Sequence, residues 1–261
     1  MADTVHFRVD PGGIGVVIIN RPEVRNALDH EAMQALAEAI AGAEQTANLR
    51  ALVLTGAGGQ AFIAGGDVRA LHSHLSEADA LAQHDLMAGT LDRIAALPVP
   101  VIAALEGATR GGGCEVALAC DLRVAAEDAT LGFAQIHMAV TPGWGGAGRL
   151  IGLVGYARAM DLLLTGRVLS AGDALAMGLV DRLCPPGKAL EAARRLAEDI
   201  ARQPGLAVRG VKAVLRGHLT LPPGAARAHE RETFARLWAS PDHAEASAAF
   251  LEKRNLASRS R

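Results

Sequence analysis

The spacing of hydrophobic and polar residues changes midway along the chain. In the first half, apolar runs bounded by turn residues predict strands at 5–9, 14–19, 51–56, 101–105 and 122–126. Between them, apolar residues at helical spacing predict a helix opened by Asp29, a long helix over 76–97 and a short helix in GGGCEVALAC. From about residue 145 onward, helices are predicted over 155–164, 170–177, 187–202, 205–216, 222–238 and 241–257.

The order of these elements predicts the fold class and the domain organisation. Strands dominate the first half and helices the second, and neither a low-complexity linker nor a repeat period is visible. This pattern favours one α/β core with a helical C-terminal region over two independent domains. We place the core at residues 1–200 and the C-terminal helical region at residues 201–261.

Composition and charge narrow the function classes. Of the 261 residues, 50% are hydrophobic and 3% aromatic, so we expect a core of Ala, Val, Leu and Ile. The 26 basic and 28 acidic residues leave no excess positive charge for nucleic acid or a membrane surface. The N-terminus lacks an apolar signal core, no run predicts a transmembrane helix, and the three cysteines form no CxxC pair. We therefore expect a cytoplasmic protein without a disulfide framework or a zinc site.

Two glycine-rich turns carry the candidate chemistry. AFIAGGDVR (61–69) and RGGGCE (110–115) each follow an apolar stretch and precede a helix start. Asp67 is interpretable as a helix N-cap and Glu115 as a first-turn acid that the helix dipole favours. Together, however, the two turns offer backbone N–H groups from separate loops, as an oxyanion hole requires, with a carboxylate nearby for proton transfer.

Longer motifs in the same order resemble the enoyl-CoA hydratase/isomerase (crotonase) family. These motifs are RPEVRNALD, AFIAGGDVRAL, EGATRGGGCEVALACDLRVAA, TPGWGGAGRLIGLVG, LTGRVLSAGDALAMGLVDRL and AFLEKR, and they cover nearly the whole chain. The resemblance implies an α/β spiral of repeated ββα turns. It also implies that the C-terminal helices cover the active site and form homotrimers, often paired into hexamers.

The resemblance further implies which residues bind an acyl-CoA thioester. The backbone N–H groups of Gly66 and Gly112 would bind the thioester oxygen and stabilise an enolate, and Glu115 would move a proton. Coenzyme A, as part of the substrate, would lie along Arg25 to Ala27 and the loop from Ala64 to Arg69. The contacting residues would be Arg25, Ala27, Ala64, Gly66, Asp67, Val68, Arg69 and Gly112. No metal or redox cofactor is implied.

The chain departs from the family pattern at one position. Hydratases of this family use two glutamates, and the second one falls on Gln135, whose amide binds water without accepting its proton at neutral pH. His137 would share a face with Gln135, as a candidate residue of the pocket wall, if this stretch were a strand; otherwise it is a packed or surface residue. PGWGG and ACDLR also resemble the branch that decarboxylates methylmalonyl- or ethylmalonyl-CoA, in which Trp144 would line the pocket.

Two further functions stay open at this stage. GAGGQA (56–61) follows a predicted strand and fits the GxGxxA form of a dinucleotide-binding turn, although no acidic strand end follows about 20 residues later. That alternative is an NAD-linked oxidoreductase. The replacement at Gln135 also allows a non-catalytic relative that binds acyl-CoA without converting it.

Overall fold

Ten strands within residues 4–253, which the computed structural model describes, form two sheets. The strands are Val5–Val9 (β1), Ile14–Ile19 (β2), Ala51–Gly56 (β3), Ala61–Ile63 (β4), Val101–Leu105 (β5), Ala108–Arg110 (β6), Leu122–Ala126 (β7), Thr130–Gly132 (β8), Val168–Ser170 (β9) and Arg182–Cys184 (β10). The larger sheet has the order β1-β2-β3-β5-β7-β10 and is parallel except for the β1–β2 pair. The smaller sheet has the order β4-β6-β8-β9 and is parallel except for the β8–β9 pair.

Helices occupy most of the remaining described chain. They are His30–Gln45 (α1), Val68–Leu71 (α2), Glu77–Ala96 (α3), Gly112–Ala119 (α4), Gly146–Val154 (α5), Tyr156–Thr165 (α6), Ala171–Ala176 (α7), Ala189–Ala201 (α8), Gly205–Thr220 (α9), Pro223–Trp238 (α10) and Pro241–Leu251 (α11). Pro22–Val24 and Ala134–Met138 form short 3₁₀ helices. The last predicted helix is therefore shorter than expected, and residues 254–257 of that prediction lie outside the described residues.

The ββα repeat predicted from the family resemblance is present. The pairs β3–β4, β5–β6 and β7–β8 each send one strand to each sheet, and a helix follows. The first strands of these pairs begin at residues 51, 101 and 122, so the repeats differ in length and leave no fixed period in the sequence. The α/β fold class and the crotonase-type spiral are confirmed.

The core lies on both faces of the larger sheet. One face packs against α1 and α3, which contribute buried residues such as Leu36, Ile40 and Leu91. The other face is covered by α8, whose Ala193 and Ala197 pack against the sheet. Small residues at these α8 positions allow the helix to approach closely, which suits a core poor in aromatic residues.

A buried ion pair attaches the C-terminal helices to the core. Lys212 on α9 donates from Nζ to the Val99 carbonyl oxygen at 2.9 Å and to Asp121 Oδ2 at 2.6 Å. The same Asp121 oxygen accepts the Val101 N–H at the start of β5. Burial lowers the pKa of Lys212, while the Asp121 charge opposes that shift.

The domain boundary near residue 200 remains a prediction. The role of residues 201–261 in assembly and in covering the active site also remains a prediction. Within the described helices, none combines the length and the apolar composition needed to span a bilayer.

Candidate active site

The two glycine turns lie side by side at one end of the smaller sheet. Gly65–Gly66 follows β4 and Gly111–Gly112 follows β6, the parallel neighbour of β4. Because parallel neighbours end at the same edge, the turns meet, and a Cβ on Gly65 would lie 3.5 Å from Gly112 N. Gly65 and Gly111 have φ values of +103° and +50°, which glycine adopts without a Cβ penalty.

The N–H groups at these turns are available to bind an oxygen. Among the contacts of residues 4–253, neither Gly66 N–H nor Gly112 N–H donates a hydrogen bond. Gly112 is also the first residue of α4, where backbone N–H groups have no partner within the helix. Two such donors from adjacent loops form the arrangement that stabilises a developing oxyanion.

The predicted coenzyme A segments lie next to the first turn. Leu28 N–H donates to Gly65 O and Asp67 N–H donates to Leu28 O, both at 2.8 Å. Ala64 N–H donates to Arg25 O at 3.1 Å. The structure thus brings residues 25–28 and 64–67 together. Two more predicted contact residues lie in the first turn of α2, where both are exposed: Val68 and Arg69.

Glu115 is buried, and four donors hold its carboxylate. Oε1 accepts Gln135 Nε2–H at 3.0 Å and Gly143 N–H at 3.2 Å. Oε2 accepts Trp144 N–H at 2.9 Å and Gly146 N–H at 2.7 Å. The residue is only 1% exposed, yet every contact is with a donor, as an ionised carboxylate requires.

Gln135, which occupies the position of the second glutamate of the family pattern, lies beside Glu115. Its Nε2 faces the Glu115 carboxylate because only the amide nitrogen can donate there. Its Oε1 is therefore turned away from Glu115, and this atom is buried with no hydrogen-bond partner. A buried acceptor without a donor is costly, so this position suits a water molecule or a substrate group that donates.

Trp144 packs on Gly66 and Gly112, the two candidate oxyanion-hole glycines. A Cβ on Gly112 would lie 2.1 Å from Trp144 Cζ3, and a Cβ on Gly66 would lie 3.9 Å from Trp144 Cζ2. The Trp144 side chain is buried, and the backbone N–H of the same residue donates a hydrogen bond to Glu115. Trp144 therefore contacts both parts of the candidate site.

Comparisons with known proteins show the family and the fold of this chain. The profile of the enoyl-CoA hydratase/isomerase family matches residues 10–260. The chain belongs to this family. It is 34% identical to the short-chain-enoyl-CoA hydratase of Clostridium acetobutylicum over 94% of each chain, and 35% identical to the crotonyl-CoA hydratase of Syntrophomonas wolfei over 92% of each. The crystal structure of an enoyl-CoA hydratase from Bacillus anthracis superposes with a TM-score of 0.92 at 32% identity, covering 99% of this chain and 100% of that one.

The structure bears on two alternatives that the sequence of this family member left open. His137 lies on a 3₁₀ helix, not a strand, and its exposed ring packs against Gly166 at the end of α6, where a Cβ would lie 2.4 Å from Nε2. The structure therefore places its ring against this helix end. The glycine turn between Gly56 and Ala61 leads into strand β4, whereas a dinucleotide-binding turn must open a helix. This geometry removes the basis for the NAD-linked alternative.

Sequence reasoning missed the residues that fix the predicted coenzyme A segments. Asn26 is fully buried and donates to Ala57 O at 2.9 Å and Ala61 O at 2.8 Å. Arg21 forms ion pairs with Asp29 at 2.5 Å and with Asp67 at 3.4 Å. Asp29 is the N-cap residue of α1, and Asp67 is the N-cap residue of α2. Both residues lie in the quoted RPEVRN motif, but their partners are distant in sequence.

Other reactive groups near the site are not suited to catalysis. Burial raises the pKa of Cys114, next to Glu115, to about 12, so this thiol stays protonated and weakly nucleophilic near neutral pH. Among the side chains of residues 4–253, no group of three or more His, Cys, Asp or Glu is placed to hold a metal ion. The candidate chemistry of this family member therefore centres on Glu115, Gln135 and the two glycine N–H groups.

Proposed function

We propose that this protein hydrates a 2-enoyl-CoA thioester through an enolate, with Glu115 as the proton-transfer group. The Gly66 and Gly112 N–H groups hold the thioester oxygen, which draws electron density from the double bond. Water adds its hydroxyl oxygen to carbon 3 while Glu115 accepts a water proton. Glu115 then delivers that proton to carbon 2 of the enolate, so the carboxylate returns to its ionised form.

The orientation of the Gln135 amide carries this proposal. With Nε2 committed to Glu115, the buried Oε1 is left as an acceptor, and a water molecule is the simplest donor to complete it. Gln135 then orients the water and Glu115 takes its proton. The names of the two bacterial relatives, a short-chain-enoyl-CoA hydratase and a crotonyl-CoA hydratase, support the same reaction.

A single carboxylate makes hydration slow. An amide at position 135 removes one general acid–base contribution, which is typically about 10²–10⁴-fold in rate. We therefore expect crotonyl-CoA turnover well below about 10³ s⁻¹, the upper end of typical enzymes. Turnover near that limit would contradict the role given to Gln135.

The test is loss of the enoyl absorbance of crotonyl-CoA with purified protein. Glu115→Gln should remove activity while the circular dichroism spectrum stays unchanged, and Gln135→Glu should raise the rate. His137→Gln is the matched control, because His137 packs against Gly166, and it should keep the wild-type rate. Wild-type activity in Glu115→Gln would refute the proposal.

The same purified protein tests a second candidate, decarboxylation of a malonyl-type thioester. The buried Trp144 beside Gly66 and Gly112 favours it, because Trp144 belongs to the PGWGG motif that resembles the decarboxylating branch. Loss of CO₂ also produces the enolate without a second base, so Gln135 would not prevent the reaction. Against it, a substrate carboxylate would approach the Glu115 carboxylate and the Gln135 oxygen, both of which repel it. Release of CO₂ from methylmalonyl-CoA without crotonyl-CoA turnover would favour this candidate. Binding of both thioesters without turnover of either would indicate a non-catalytic relative.

A further inference from the structure

Three side chains surround the first oxyanion glycine. A Cβ on Gly66 would lie 3.0 Å from Leu71 Cδ1, 3.9 Å from Gln83 Nε2 and 3.9 Å from Trp144 Cζ2. We name Leu71, Gln83 and Trp144 the acyl wall. Trp144 also supplies the three atoms nearest to the Cβ position of Gly112, so its ring lies beside both donors that would hold the thioester oxygen.

The Trp144 ring is held in this position. The side chain is 5% exposed, and the backbone N–H of the same residue donates to Glu115 Oε2. The preceding turn is tied to α3, because a ring nitrogen of His84 donates to the Gly143 carbonyl oxygen at 2.6 Å. A substrate cannot displace the ring without breaking close packing and disturbing the donors of Glu115.

We propose that Trp144 is a specificity-determining residue that limits the substrate to short acyl groups. This inference rests on the proposed function, which places the thioester oxygen between Gly66 and Gly112. The acyl carbons begin one bond from that oxygen, so they enter the space next to the indole. A crotonyl group ends after a few carbons, whereas a longer chain must pass the buried ring.

The first experiment compares chain lengths in Trp144 variants. The ratio of kcat/KM for 2-octenoyl-CoA to that for crotonyl-CoA should rise at least about 10-fold in Trp144→Ala, because one methylene in a fitted pocket already changes specificity by about 10–200-fold. Trp144→Phe, which keeps a ring, should give an intermediate ratio and serves if the alanine variant does not fold. Both variants keep the backbone N–H that contacts Glu115.

Trp238 supplies the matched control. It is the other tryptophan of the chain and is 61% exposed on α10. Trp238→Phe, which keeps an aromatic ring on this surface and is the counterpart of Trp144→Phe, should leave the ratio within about 2-fold of wild type. An unchanged ratio in Trp144→Ala and Trp144→Phe would overturn the inference.

Binding provides a readout that does not depend on turnover. In Trp238→Phe, Trp144 is the single tryptophan, and saturated butyryl-CoA should change its emission while free coenzyme A should not. Octanoyl-CoA should bind at least about 10-fold more weakly by calorimetry, and Trp144→Ala should remove that difference. A response to butyryl-CoA without crotonyl-CoA turnover would refute the proposed hydration and leave the inference standing. Butyryl-CoA binding without any emission change would refute the inference, and no binding at all would refute both.

Discussion

Replacing Gly112 by alanine tests how closely Trp144 packs on the oxyanion turn. The new Cβ would lie 2.1, 2.4 and 2.5 Å from three ring carbons, while ordinary contact begins at 3.4 Å. The ring, which is only 5% exposed, must therefore move by about 1.3 Å, the difference between 3.4 and 2.1 Å. Overpacking of this kind costs about 1–3 kcal/mol of unfolding free energy.

The backbone itself does not oppose this substitution. Gly112 is the first residue of α4 and is not among the glycines with positive φ. Alanine in a helix is favoured over glycine by about 0.5–1 kcal/mol. Gly148→Ala is the matched control, because Gly148 lies on α5 with nothing within 4 Å of its Cβ position. It should gain about that amount.

A double-mutant cycle with Trp144→Ala isolates the contact. Trp144→Ala alone should cost about 3–5 kcal/mol, as expected for a buried tryptophan. In that background Gly112→Ala should become neutral or stabilising, which gives a coupling energy of about 2 kcal/mol between the two sites. Urea unfolding at one protein concentration measures all four proteins. A cost of Gly112→Ala that is equal in both backgrounds would refute the packing argument.

Three further outcomes are expected. The chain has three buried cysteines, and burial raises the pKa of each thiol: Cys114, Cys120 and Cys184. An aromatic disulfide reagent should therefore modify them only after denaturant is added, and fast modification of the native protein would contradict their burial. Arg21 forms ion pairs with the N-cap residues of α1 and α2, beside the predicted coenzyme A segments. Arg21→Ala should therefore raise the KM for crotonyl-CoA and lower kcat, and Arg21→Lys should restore part of both. Equal loss in the two variants would point to global unfolding. Light scattering should give a trimer or hexamer mass, since α9 to α11 expose large apolar side chains such as Trp238, and a monomer would contradict the predicted assembly.

Five of the six strands of the larger sheet could be predicted from the sequence because they are mainly apolar runs of five or six residues, whereas the sixth, β10, has only three residues and was not predicted. β2, β3 and β5 have five or six residues, nearly all of them buried, and turn residues bound each one. The strands of the smaller sheet have only three residues each, which is too short for any periodicity to be visible. They form because neighbouring repeats place them side by side, and this information is not local.

The candidate site divides in the same way. Gly66, Gly112 and Glu115 could be predicted because they lie in local motifs, and Gln135 because its motif lies at a fixed distance from PGWGG. The contacts between these motifs could not. The four donors that hold Glu115 come from residues 20 to 31 positions further along, and the partners of Arg21 and Asn26 include residues 31 to 46 positions away.

Gln135→Glu should lower the stability of the protein and raise its activity, because the amide of Gln135 donates to Glu115. Gln135 Nε2 and Glu115 Oε1 are 3.0 Å apart, so a glutamate at 135 would place two carboxylates at a distance where ionisation of both is opposed by like-charge repulsion. Gln135→Glu loses a hydrogen bond to a charged group, which is worth about 1.5–3 kcal/mol, but it supplies the second proton acceptor that hydration uses. We therefore expect a lower urea midpoint together with faster crotonyl-CoA hydration. A gain of stability in Gln135→Glu at pH 7 would mean that water or a bound proton separates the side chains at positions 135 and 115. It would also mean that the Gln135 amide does not hold Glu115 as described.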